Sequence, residues 1–189
     1  MSDRTRFAPW GTPGLGDPSR TVPPAALRCG RGPMLPFGAG RSYGDSCALA
    51  GGHLIDGRPD AVIHDFDPAT GTITADAGVP LAALLARIAP THILPVLPGT
   101  QFATLGGAIA NDVHGKNHHW RGSFGAFVSE IILRRSDVAG AIRLRPGMAL
   151  FAATVGGMGM TGRIERARLR VLPVAGTDVR ESATRPSCR

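Results

Sequence analysis

Three glycine clusters constrain this chain more than any other feature, because each stands at the end of an apolar element. They lie at 38–44 (GAGRSYG), at Gly106 and Gly107, and at 156–162 (GGMGMTG). Glycine admits backbone angles closed to other residues and leaves no Cβ between the chain and a neighbour. Three apolar elements broken in this way point to one long anionic ligand contacted along its length.

The second cluster sits inside the stretch that concentrates chemistry, 98–125 (PGTQFATLGGAIANDVHGKNHHWRGSFG). That stretch holds an Asn-Asp pair, His114, His118, His119 and Lys116, the only lysine of the chain. Gly106 and Gly107 would let a helix N-terminus or a turn come close to a planar or anionic ligand. His114 and His118 stand four apart, the spacing of a metal pair, but no carboxylate follows at ligand spacing and Gly115 and Asn117 oppose a helix there. No metal is assigned.

Composition narrows the classes. A chain of 189 residues with 43% apolar content buries one sizeable core or two small lobes. The net charge of +7 comes nearly all from arginines scattered singly, without a nucleic-acid-binding signature, so nucleic acid is not the expected partner. No apolar run is long enough to span a bilayer, and the first residues lack the apolar core of a signal peptide. These readings place the chain in the cytoplasm, free or against a membrane, with no integral membrane segment. Cys29, Cys47 and Cys188 form neither a disulfide framework nor a zinc pattern.

In chain order, residues 1–26 read as an irregular lead-in, with a short helical turn expected at 25–29. A strand is expected at 34–37, running into GAGRSYGD. Taken alone, that motif fits a tight strand-to-strand turn or a phosphate cradle equally well. It is one residue longer than the Rossmann fingerprint and no long helix follows. Strands at 52–55 and 61–66 precede an antiparallel hairpin through Asp67-Pro-Ala-Thr-Gly71 into a strand at 72–77. Leu81, Leu84, Leu85 and Ile88 predict a helix over 81–88, opened by Pro80 and stopped by Pro90. Further strands are expected at 93–97, 127–134, 141–144 and 163–172, the last alternating charged and apolar residues. A helix is expected at 150–155, and 174–189 reads as an unpacked tail.

GAGRSYGD, DAGVPLAALL, LPVLPGTQFATLGGAIANDVHGKNHHWRGSFG and LFAATVGGMGMTGRI, in that order, resemble the FAD-binding region of vanillyl-alcohol-oxidase-type (PCMH-type) flavoenzymes. GRSYGD together with HGKNHH is similar to the decaprenylphosphoryl-β-D-ribose 2-oxidase-like branch. The resemblance covers about 37 to 173. It implies an α+β fold of two lobes clamping FAD: a small mixed α/β lobe (about 27–98) and a larger antiparallel one with helices (about 99–173).

It also implies roles. Gly38, Gly40, Arg41, Ser42, Tyr43 and Gly44 would line the FAD pyrophosphate. Gly99, Thr100, Thr104, Gly106, Gly107 and Asn111 would follow the phosphates and ribityl chain. His114 and Lys116 would stand beside the isoalloxazine as catalytic candidates, and Gly157, Gly162 and Ile164 would hold the adenine end. Arg41 occupies the place where some members carry a tethering histidine, which implies non-covalent FAD. The implied reaction is oxidation of a sugar or polyprenyl-phosphoryl-sugar hydroxyl by hydride transfer to flavin.

Two departures accompany the resemblance. The substrate domain that follows the FAD domain in the family is not in this sequence, so the alternative is a truncated FAD-binding module or remnant that needs a separate substrate-domain chain. Asp137-Val138 stands where an Asp-Gly turn is expected, which would force Val138 to positive φ.

Overall fold

The computed structural model describes Pro9, residues 20–22, 32–59 and 61–176, and Asp178, Glu181 and Ser182. The helical turn expected at 25–29, Cys29, Cys188 and most of the lead-in and tail lie outside the described residues.

Two sheets carry the chain. The smaller is parallel, with β3 (His53–Asp56) at its centre between β1 (Arg20–Val22) and β2 (Met34–Phe37). The larger has the order β4-β5-β9-β7-β8, built from β4 (Ile63–Asp67), β5 (Thr72–Asp76), β7 (Val128–Arg134), β8 (Ala141–Leu144) and β9 (Arg163–Arg170), and every pairing in it is antiparallel. A two-stranded ribbon joins β6 (His92–Ile93) to β10 (Leu172–Pro173). The architecture is mixed α and β, as expected.

The β4–β5 hairpin forms where its turn residues require it. Asp67 Oδ1 accepts the Ala69 N–H at 2.9 Å, its Oδ2 accepts the Thr70 hydroxyl at 2.7 Å, and Gly71 supplies φ 61°. Helix α1 (Leu81–Ile88) follows after Pro80 and presents Leu81, Leu84 and Ile88, all fully buried, to the large sheet. Each such side chain contributes about 1.5–3 kcal/mol by leaving water. Helix α2 (Leu105–Ala110) adds Leu105, Ala108 and Ile109 to the same core, over Ile73 and Ala75 of β5, Ile131 and Leu133 of β7, and Ala167 and Leu169 of β9. Helix α4 (Ala149–Thr154) contributes Phe151.

Sheet membership changes between β3 and β4, since β4 and β5 hydrogen-bond into the large sheet. Three expectations need correction. The lead-in is not wholly irregular, because Arg20–Val22 pairs with the outer edge of β3 as a parallel strand. The strand expected at 93–97 stops after Ile93, because Pro95 has no N–H for a ladder, although Leu94 and Val96 remain buried. Val138 is not at positive φ; Gly140 takes that role in the β7–β8 turn at φ 87°.

Strand β9 also departs from simple alternation. Its inward residues Ile164, Ala167 and Leu169 are spaced three and then two apart. A shift of register against β7 between Ile132 and Leu133 absorbs the extra residue, so both ends of the strand face the core.

Candidate cofactor site

A cleft of about 720 Å³ opens where the parallel strands β2 and β3 end, with the large sheet and α2 as its opposite side. Phe37 closes β2 as a buried residue, and the chain then turns through the first glycine cluster. A Cβ on Gly38 would lie 2.5 Å from Thr104 Oγ1, and Gly40 adopts φ 65°. Among the described residues no acceptor meets the N–H groups of Ala39, Gly40 and Ser42. Donors left over beside a cleft are what an anionic ligand needs.

At the second cluster the helix donors are engaged within the protein, while both glycines line the cleft. The N–H of Leu105 bonds Val79 O and that of Gly106 bonds Ala77 O, both at 2.8 Å, while the N–H of Gly107 bonds Thr104 Oγ1 at 3.2 Å. The first donors of α2 are therefore spent within the protein, and no helix N-terminus is offered to an anion. Gly106 is required for approach instead: a Cβ there would stand 2.8 Å from that of Ala77. The pair gives the cleft a flat backbone wall.

Asn111 and Asp112 end α2 and launch the histidine loop. Asp112, at φ 41°, accepts the Gly125 N–H on Oδ1, and the Val113 carbonyl accepts the Phe124 N–H at 2.9 Å. His114 and Ser123 form an isolated antiparallel bridge, and the Asn117 amide donates to Pro95 O at 3.0 Å. The loop is thus pinned at both ends, with one helical turn, α3 (His118–Arg121), at its tip. His114 lines the cleft at its exposed rim, its ring edge-on to that of His118 at 5.7 Å. Lys116 is exposed and lies outside the cleft lining.

The third cluster returns the chain to the cleft. Gly156 and Met158 donate to Ile109 O and Ala110 O at 3.0 and 2.8 Å, tying this turn to the end of α2. Gly157 is outside the cleft lining, and a Cβ there would strike the Ala153 carbonyl, so the turn after α4 needs a glycine at this position. Gly159, at φ 80°, packs on Pro36 and lines the cleft in its stead.

Of the residues expected at the cofactor, the cleft brings together Gly38, Gly40, Arg41, Ser42, Tyr43, Gly99, Thr100, Thr104, Gly106, Gly107, Asn111, His114, Gly162 and Ile164. It leaves out Gly44, Gly157 and Lys116. Gly44, at φ 62° with open space around it, is a turn glycine. Sequence reasoning missed Gly78 and Arg163. A Cβ on Gly78 would press into the Gly57 carbonyl, so two chain segments cross there backbone to backbone. The Asp-Ala-Gly step between strand and helix was the signal for it. Cys47 also lines the cleft, and burial pushes its thiol pKa up.

A cleft with leftover backbone donors at the carboxyl ends of parallel strands, walled by glycines and facing an antiparallel sheet, defines a dinucleotide-binding domain outside the Rossmann class. Residues 25–133, more than half of the chain, match the FAD binding domain family, and the chain belongs to that family. Decaprenylphosphoryl-beta-D-ribose oxidase of Mycolicibacterium smegmatis is 44% identical over 157 residues, 82% of this chain and 34% of the relative. An uncharacterized Streptomyces coelicolor protein, encoded in the mprA 5' region, is 43% identical over 82 residues, 43% of this chain and 22% of its own. Two solved structures of alkyldihydroxyacetonephosphate synthase superpose with TM-scores of 0.64 and 0.65 at 20% identity, each covering 75% of this chain and 27% of theirs. The chain spans about a third or less of the length of these relatives.

Among the described residues, no helix is long and apolar enough to cross a membrane.

Proposed function

We propose that this chain holds FAD non-covalently in the cleft and forms the flavin half of an oxidoreductase acting on a hydroxyl of a sugar or polyprenyl-phosphoryl sugar, in the cytoplasm. The observation that carries the reading is the unspent N–H set of Ala39, Gly40 and Ser42 beside a glycine-walled cleft of about 720 Å³. These donors suit the pyrophosphate, and Phe37, Ile55 and Ile164 give the cleft apolar surface for the rings. FAD, when bound, supplies a two-electron hydride acceptor. His114, exposed at the rim, is the group available to hold or take the proton of a substrate hydroxyl at a ring nitrogen, and Lys116 on the same loop adds positive charge near the mouth. Arg41, in place of a tethering histidine, supports non-covalent binding.

The reading is tested by the absorbance spectrum of the purified protein before and after adding FAD, and again after acid denaturation. A bound-flavin band released by acid is the expected result. A soluble, folded protein that stays colourless with FAD present would overturn it, as would flavin that stays with the acid precipitate for the non-covalent part.

A second reading is a module whose substrate half is supplied by a separate chain. It is supported by large apolar side chains left in solvent at the cleft lining, Tyr43 81% and Met158 49% exposed, with Phe102, Met160 and Trp120 also exposed. Flavin binding without turnover, restored by a second polypeptide, would distinguish it.

A further inference from the structure

We propose that Arg163 is a half-buried counter-charge of the cleft, in addition to the exposed Arg41, pairing with the anionic phosphate link of the bound dinucleotide; the inference rests on the FAD reading above. Arg163 opens β9, lines the cleft, and its side chain is only 14% exposed. Its guanidinium lies beside the backbone at Gly57, just beyond the end of β3, where a Cβ would be 3.9 Å from both Nε and Nη2. That is the same edge of the parallel sheet from which the first glycine cluster departs.

The local charge does not balance. Arg163 Nη1 donates to Glu165 Oε1 at 3.0 Å, but the same oxygen takes Arg134 Nε at 2.7 Å, and the other oxygen takes Arg134 Nη2 at 3.2 Å. Two guanidinium groups share one carboxylate. The next carboxylate acting on Arg163, Asp76, is itself engaged by Arg166 and His64, so the Arg163–Arg134–Glu165 group carries one positive charge in excess. The neighbouring Arg58 differs, since both Asp56 oxygens pair with it at 2.8 Å. Burial draws the Arg163 pKa down from the usual arginine value, and the nearby Arg134 adds to this while Glu165 and, less strongly, Asp76 oppose it. The group stays charged all the same. A desolvated, half-compensated cation is costly until an anion reaches it, and the leftover donors of Ala39, Gly40 and Ser42 line the same cleft. An arginine here suits a phosphate better than a lysine would, because its planar fork can give two parallel bonds.

The test measures affinities for FAD, ADP and riboflavin by flavin fluorescence and calorimetry, on the wild-type chain and on Arg163→Met, Arg163→Lys and Glu165→Gln, with a thermal melt of each. Arg163→Met is expected to weaken FAD and ADP by about tenfold or more while riboflavin affinity is unchanged, with Arg163→Lys between it and wild type. Glu165→Gln separates charge from architecture: it should hold or raise FAD affinity, whereas a merely structural network would lose it. Should Arg163→Met not fold, the Lys and Gln variants decide alone. Wild type binding FAD with Arg163 variants equal to it overturns this inference and leaves the FAD reading standing. Wild type binding ADP in an Arg163-dependent way but refusing FAD overturns the FAD reading and keeps the anion role. Binding of neither ends both.

Discussion

The Asp112 carboxylate accepts the N–H of Gly125 at 2.8 Å across thirteen residues, and this one bond closes the histidine loop at its base. Asp112 can do so because it sits at φ 41°, a conformation aspartate tolerates better than most side chains. Gly125 lacks a Cβ that would otherwise collide with Val155 and stand 2.9 Å from Asp112 Oδ1. The position of His114 therefore depends on a residue that contributes nothing else to the cleft.

Replacing Asp112 tests this directly. Asp112→Ala should destabilise the chain by about 1–3 kcal/mol, having stranded the Gly125 donor in a partly buried site. Asp112→Asn, which keeps an acceptor and tolerates the same φ, should cost under about 1 kcal/mol. Urea unfolding followed by circular dichroism reads both. Equal loss in the two variants would remove the loop-closing role.

The glycines divide into those that need their bareness and those that do not. Gly106→Ala drives a Cβ to 2.8 Å from that of Ala77 and should cost about 1–3 kcal/mol. At Gly99 nothing lies within 4 Å and φ is ordinary, so Gly99→Ala should stay within about 0.5 kcal/mol. Thermal melting of the two variants side by side makes the comparison.

Acid should weaken the large sheet through Asp76. Burial raises the Asp76 pKa, but hydrogen bonds from His64, the Val62 N–H and Arg166 outweigh it and hold the carboxylate below the usual aspartate value. A carboxylate depressed in the folded state stabilises it above the unfolded pKa of about 3.9, and that contribution fades as pH falls through the folded value. Unfolding free energy measured from pH 6 down to pH 2.5 should fall more steeply below about pH 4 in wild type than in Asp76→Asn. Parallel curves would mean the network adds nothing.

Lys116 and Gly40 should separate mouth from cradle. Lys116 lies outside the cleft lining, so Lys116→Met should leave the FAD dissociation constant within about twofold. Gly40→Val places a β-branched side chain at φ 65° in the cradle and should abolish measurable binding. A large affinity loss in Lys116→Met would move that residue from the mouth to the cofactor.

Much of this was legible in the residues because local rules and tertiary packing agree. Pro80 and the Leu81, Leu84, Ile88 spacing give α1 its bounds, and Asp67 with Gly71 gives the β4–β5 turn. What sequence could not convey was pairing between distant segments. The parallel partnership of Arg20–Val22 with β3 depends on an edge thirty residues away, and β9 hides a register shift behind apparent alternation. The glycine motifs announced a cleft, but only coordinates tell which of them line it: Gly159 does and Gly157 does not. Arg163 reads as one more solvated arginine until its carboxylate is seen to be shared with Arg134.

The order of the large sheet carries one more consequence. Strand β9 lies at its centre although it follows the other four in the chain, so the hairpins β4–β5 and β7–β8 share no partner until that later stretch of sequence inserts between them. Until it does, each hairpin keeps an unpaired ladder edge, which is a hazard for mispairing. Arg163 and Ile164 belong to the inserting strand, so the stitching of the sheet and the completion of the cleft wall are a single event in folding.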